Sequence, residues 1–169
     1  SDLSALSEAL IRWFPDRAIV FRSVDQKKNP HVYQSLEKLG YDLVLSRQVW
    51  YMDPVAALKT RQCKEDVRVL KKNGYEVVGG RDLSDDELRR AVELYNLLYL
   101  EKYSYYNPQF TFDFLKLARD EGILHLHGLK KDGRLNAIMG FFVRNGAMTQ
   151  PLFGYDTSLP LDEGLYRLL

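Results

Sequence analysis

The spacing of apolar residues changes at Gly122, from a mostly helical period before it to an extended one after it. Residues 1–12 place Leu3, Leu6, Leu10 and Ile11 around Glu8, the pattern of an amphipathic helix. After the break at Pro15 and Asp16, Ala18 to Val24 contains Ile19, Val20 and Phe21 in a row and predicts a short buried strand. Asn29 and Pro30 open a second helix, since a proline in the first turn lacks only an N–H that has no helical partner, and Gly40 closes it. Leu43 to Met52 predicts a strand or a bent pair of strands ended by Asp53 and Pro54. Val55 to Asn73 is helical and strongly charged, runs to a cap at Gly74, and reads as a connector between two structural units.

Tyr75 to Val78 predicts a further short strand, and the helix start after it is the clearest boundary in the chain. Ser84 and Glu87 have the spacing of a capping box, and Leu83 is placed to pack on Leu88 outside the first turn. Leu88, Ala91, Val92, Tyr95, Leu98 and Tyr99 follow on one helical face, which makes that stripe core. A helix over Thr111 to Glu121 ends at Gly122. Ile123 to Leu129, Leu135 to Val143 and Ala147 to Tyr155 then predict an antiparallel meander, because Asp132-Gly133 and Asn145-Gly146 supply residues that tolerate positive φ in tight hairpin turns. Gly154 and Pro160 break the last strand, and Glu163 to Leu169 reads as the beginning of a helix.

Composition narrows the class. The 169 residues are 46% hydrophobic and 28% charged without a long apolar run, as in a soluble globular protein, so neither a spanning helix nor a membrane partner is expected. The amphipathic start differs from a secretory leader, and a cytoplasmic location is expected. A net charge of +1 exerts no broad pull on nucleic acid. The basic run from Lys59 to Lys72 is interrupted by Glu65 and Asp66 and reads as a solvated helix face. Cys63 is alone, without disulfide or metal spacing. His125 and His127 share one strand face, a spacing that suits a joint metal or proton-transfer site, but no third ligand accompanies them. A half-exposed strand face is the first reading, His125 as a catalytic base the second, and no metal is expected.

Asn29 to Tyr41, NPHVYQSLEKLGY, resembles the late helix of the GNAT superfamily of acyl-CoA N-acyltransferases, with Glu37, Lys38, Leu39, Gly40 and Tyr41 matching its ending. The order from Tyr75 onward, strand, two helices, three-stranded meander and helix, resembles the first half of the same fold. The expected class is therefore α+β: a GNAT-like mixed, largely antiparallel sheet flanked by helices, with late-fold elements preceding early-fold ones. Residues 1–54 resemble the second half, 55–74 are the charged connector, and 75–169 resemble the first half. An excerpt from tandem domains, as in FemAB-like proteins, and a single permuted domain both account for this order; the incomplete look of Gly164 to Leu169 favours the excerpt.

The resemblance implies transfer of an acyl group from acetyl-CoA or another acyl-CoA, or of an aminoacyl group from tRNA, to a small-molecule or peptide amine. It places Thr149, Gln150, Leu152, Phe153, Gly154 and Tyr155 along the donor cleft, where Gly154 either admits the donor closely or simply ends the strand. Of the loop that binds the CoA pyrophosphate only Gly164 has a counterpart, behind Asp162 and Glu163. The general-acid tyrosine of the family falls on Leu36, with Tyr33 nearly one turn away as its replacement. The stretch YLEKYSYYNPQFTF, Tyr99 to Phe112, would wall the acceptor site: Glu101 orienting the amine, and Tyr103, Tyr105, Tyr106 and Asn107 lining it. The alternative is a catalytically inactive binding or scaffold domain of the same fold.

Overall fold

The computed structural model describes residues 2–46 and 48–169, and the chain divides into two compact units, residues 1–51 and 52–169. In the first, α1 (Leu3–Trp13) starts where the Asp2 carboxylate accepts the Ala5 amide, and α2 (Pro30–Lys38) starts at the expected proline. Gly40, at φ 82°, takes the left-handed geometry that ends α2. The Ser7 hydroxyl donates to the Leu3 carbonyl at 2.7 Å, which leaves it to accept from the Tyr41 hydroxyl at 2.6 Å. Tyr41 in turn meets Phe21 edge-on at 5.3 Å. These contacts, with buried Leu36, tie α1 to the chain that leaves α2.

The strands expected over 18–24 and 43–52 do not form among the described residues; both stretches are irregular and unpaired. A strand is stable only beside a partner that takes up its backbone hydrogen bonds, and local apolarity supplies no such partner. Arg47 lies outside the described residues.

The second unit opens with the charged stretch, which forms two helices, α3 (Pro54–Leu58) and α4 (Arg61–Lys72). Thr60 separates them and caps α4 by accepting the Cys63 amide. Helix α4 packs against the short α7 (Leu165–Leu168), joined to it by the Arg167–Asp66 ion pair at 2.6 Å. Between them lie β1 (Glu76–Gly79), α5 (Asp85–Asn96), α6 (Phe112–Asp120), β2 (His125–Lys131), β3 (Arg134–Arg144) and β4 (Ala147–Tyr155). The strands form one antiparallel sheet in the order β1-β2-β3-β4, so the class is α+β. The capping box at the start of α5 is complete, with Glu87 accepting the Ser84 amide at 2.8 Å and the Glu87 amide donating to the Ser84 hydroxyl at 3.2 Å. Both hairpin turns place two consecutive residues at positive φ, Asp132 (52°) with Gly133 (76°) and Asn145 (50°) with Gly146 (69°), the geometry that matches the twist of paired strands.

The register sorts the side chains into two faces. Leu126, Ile138 and Leu152 point to α5 and α6 and join Leu88, Leu94 and Leu115 in the main core. A Cβ on Gly154 would lie 2.5 Å from the Tyr95 backbone nitrogen, so this glycine lets α5 rest directly on the sheet. On the other face Leu129 and Ala137 form a smaller core with Tyr75 and Leu165. The Asp156 amide donates to the Asn136 carbonyl at 2.8 Å, so over the regular pairing of 152–156 the backbone groups of 154 and 156 turn to β3 while those of 153 and 155 face away. Pro151 stands in the bulge of edge strand β4, where Gln150 and Pro151 lie opposite Phe141 and the ladder is interrupted, a place that tolerates a residue without an N–H.

Candidate functional site

The aromatic stretch after α5 is organised by a π-helical segment, Leu97–Tyr103, that continues α5 with a wider turn. Such turns arise where one extra residue must be absorbed in a helix, and they re-aim the side chains that follow. Here the result is a floor and a rim. Tyr95 and Tyr99 stack at 4.8 Å with rings 10° apart, and Phe110 meets Tyr95 edge-on at 4.8 Å. The Tyr95 hydroxyl donates to the Pro108 carbonyl at 2.7 Å, so the loop is stitched to the helix from below. Burial, and then the neighbouring Tyr99, pushes the Tyr95 phenol above its usual range and keeps it a neutral donor. Above this floor Tyr103, Tyr105 and Tyr106 are exposed, Tyr106 to 93%. Asn107 is half-buried and directed inward, its amide donating to the Tyr99 carbonyl at 3.0 Å. Of the residues expected to wall an acceptor, three tyrosines thus face solvent and Asn107 holds the loop. Glu101 sits exposed on the π-helical segment.

Strand β4 packs against that segment. Thr149 and Gln150 are exposed at its open end, and Leu152 is fully buried among the helices with Gly154. Phe153 and Tyr155 lie half-buried on the opposite face, where the exposed ring of Tyr166 meets both. Gly164 has φ 72° and joins the short turn over 161–163 to α7. The amides of Glu163 and Gly164 donate to Pro160 and Leu161, and those of Arg167 and Leu168 both donate to the Gly164 carbonyl. Glu163 pairs with Lys131 at 2.8 Å, and the Asn73 amide donates to the carbonyls of Asp162 and Glu163 at 3.0 Å. The loop is thereby bonded to itself and to α4.

His125 is exposed and His127 half-buried, and both rings lie against Phe141, at 5.2 and 5.8 Å. The shared face is as expected from their spacing, with the phenyl ring rather than a third ligand between them. Among the described residues no group of three or more His, Cys, Asp or Glu is placed to hold a metal ion, and no helix is long and apolar enough to cross a membrane. Tyr33 is half-buried on α2, in the first unit, one turn before the buried Leu36.

One cluster left no sequence signal. Asp156, buried just beyond β4, accepts from Arg90 at 2.6 Å, Arg134 at 3.1 Å and the Ser158 hydroxyl at 2.5 Å. Burial opposes its charge, but the Ser158 hydroxyl and amide, then the two guanidinium groups, hold its carboxyl below the usual carboxylate range. It borders a cavity of about 220 Å³ that Tyr155, Leu159, Leu165, Tyr166 and Arg167 also line. Residues 90, 134 and 156 are far apart in the chain, and only the fold brings them together. Compared with models of known protein families, with curated proteins and with solved structures, the chain matches none.

Proposed function

We propose that the chain is part of a GNAT-type N-acyltransferase that moves an acyl group from acyl-CoA, or an aminoacyl group from tRNA, to an amine. The observation that supports this reading is the packing of β4 against the π-helical segment, which puts the strand expected to hold the donor beside the loop expected to hold the acceptor. In this reading the outward amides of Phe153 and Tyr155 bind the donor chain and its thioester carbonyl, the preorganised-donor device that such transfer needs. The amine attacks that carbonyl, its proton passes to Glu101 or His125, and the thiolate or tRNA alkoxide leaves and takes a proton from water.

A second reading, a binding or scaffold domain of the same fold without catalysis, draws on two specific features. Four amides around Gly164 already donate within their own turn rather than standing ready for a pyrophosphate. Leu36 is buried at the position where the family carries a tyrosine. Calorimetry with acetyl-CoA and a longer acyl-CoA, together with amine-dependent thiol release, separates the two. Saturable binding with release that Glu101→Gln slows about 10²-fold supports transfer. Failure of both arms with acyl-CoA and with aminoacyl-tRNA leaves the scaffold reading.

A further inference from the structure

In the second unit most cations stand beside an acid. Arg90, Lys116, Arg119, Lys130, Lys131 and Arg134 each have a carboxylate within ion-pair distance. Helix α4 departs from this rule. At about 3.6 residues per turn, Arg61, Lys64, Arg68, Lys71 and Lys72 fall within an arc of about 100°. The two acids that interrupt this run in the sequence do not interrupt it in space. Glu65 accepts from Arg61 at 2.7 Å, and Asp66 lies on the opposite side of the helix, where it accepts from Arg167 of α7 at 2.6 Å. Among the described residues Lys64, Arg68, Lys71 and Lys72 are left exposed without a carboxylate partner.

Helix formation alone does not account for the stripe. Lys64 with Arg68 and Arg68 with Lys72 are four residues apart, and like charges at that spacing repel. The helix dipole favours cations in the last turn, which explains Lys71 and Lys72, but it gives no reason for Lys64 and Arg68, which stand earlier. A basic stripe along a helix is the electrostatic footprint of a nucleic acid. It runs about 12 Å from Lys64 to Lys72, at about 1.5 Å per residue. Over that length a duplex presents about seven phosphates, at one per roughly 1.7 Å of axis. A lipid surface fits less well. Leu70 packs on the smaller core and Val69 lies against Gly164, so α4 has already used the apolar side that an interfacial membrane helix keeps free.

We infer that the α4 stripe of Lys64, Arg68, Lys71 and Lys72 is a docking face for the phosphodiester backbone of a nucleic acid. Each cation neutralises a phosphate and releases its counterion, which supplies affinity without reading sequence. The inference is independent of acyl transfer, since it uses neither the donor amides nor Glu101.

The test titrates labelled mixed-sequence oligonucleotides of about 20 residues, as single-stranded RNA, duplex RNA and duplex DNA, with the full chain and follows fluorescence polarisation. Four neutralised phosphates predict a slope of log affinity against log salt of about −2.8 to −3.6, so affinity should fall about 50- to 150-fold between about 50 and 200 mM salt. Arg68→Gln and Lys71→Gln should each weaken binding and reduce the slope by about 1. Arg68→Lys, which keeps the charge, and Arg144→Gln, at the exposed β3–β4 turn, should leave both unchanged. All three side chains are exposed, so the variants are expected to fold, which thermal melting checks. Preference for RNA or for DNA identifies the source of the backbone, and equal affinities show that charge alone is read. No saturable binding at about 50 mM salt with protein at about 100 µM, or an unchanged slope in Arg68→Gln, would overturn the docking face. So would equal displacement of the oligonucleotide by phosphatidylserine vesicles or by polyglutamate.

Discussion

The two units use apolar residues in opposite ways. The second gathers Leu88, Leu94, Leu115, Ile138 and Leu152 into a core with no accessible surface, whereas in the first only Leu36 among the described apolar residues is buried. Leu45 is 93% and Trp50 81% exposed in a stretch whose composition is as apolar as that of any strand in the sheet. Apolar content is therefore a necessary condition for burial but not a sufficient one. What the second unit has in addition is a set of hydrogen-bonded partners, four strands in register, that turns alternation into two faces.

Three comparisons would break or sharpen this contrast. The largest expected effect is in the core: Leu88→Ala should cost about 2 to 5 kcal/mol, because it removes contacts at a site that cannot collapse, while Trp50→Ala should stay within about 0.5 kcal/mol. Denaturant unfolding of the two variants measures the difference, and equal losses would mean that the first unit is packed as tightly as the second. Next comes glycine. Gly154→Ala would drive a Cβ against helix backbone at 2.5 Å and should cost about 3 kcal/mol. Gly40→Ala meets nothing within 4 Å and bears only the strain of φ 82°, about 1 kcal/mol. A thermal-melting comparison of the pair tests whether closeness or conformation governs.

The smallest effect is in acid. The Asp156 carboxyl is held below its ordinary value of 3.8 in the folded chain. Its contribution to stability is therefore complete above about that pH and is lost as the pH falls from there through the lower folded value. Asp25 in the first unit is also held low, first by the Tyr51 hydroxyl, but it is fully exposed and screened by water. Asp156→Asn should flatten the fall in stability as the pH drops below the ordinary carboxylate value of 3.8, and Asp25→Asn should leave it unchanged; denaturant unfolding at a series of acid pH values measures both.

The features legible in the chain were those written in neighbouring residues. Ser84 with Glu87, and the Asp-Gly and Asn-Gly turns, act over two to four residues, and each forms where the pattern places it. The stripe from Leu88 to Leu98 was legible for the same reason, since helical spacing carries its own geometry. Strands over 18–24 and 43–52 were not, because pairing depends on a distant partner. At the candidate site, the aromatic density of Tyr99 to Phe112 was visible, but its division into floor and rim depends on the π-helical turn. The Asp156 cluster and the meeting of Tyr166 with β4 join residues from opposite ends of the second unit, and no local spacing encodes them.

Pro151 has one further effect. An edge strand usually invites another chain to extend the sheet, and repeated extension produces fibrils. On β4 Pro151 brings no N–H and sits in the bulge that shifts the ladder by one residue, so an arriving strand meets regular outward groups at Phe153 and Tyr155 and an interruption at the bulge. The same edge thus offers a short extended ligand two residues of regular ladder and a long strand no unbroken one.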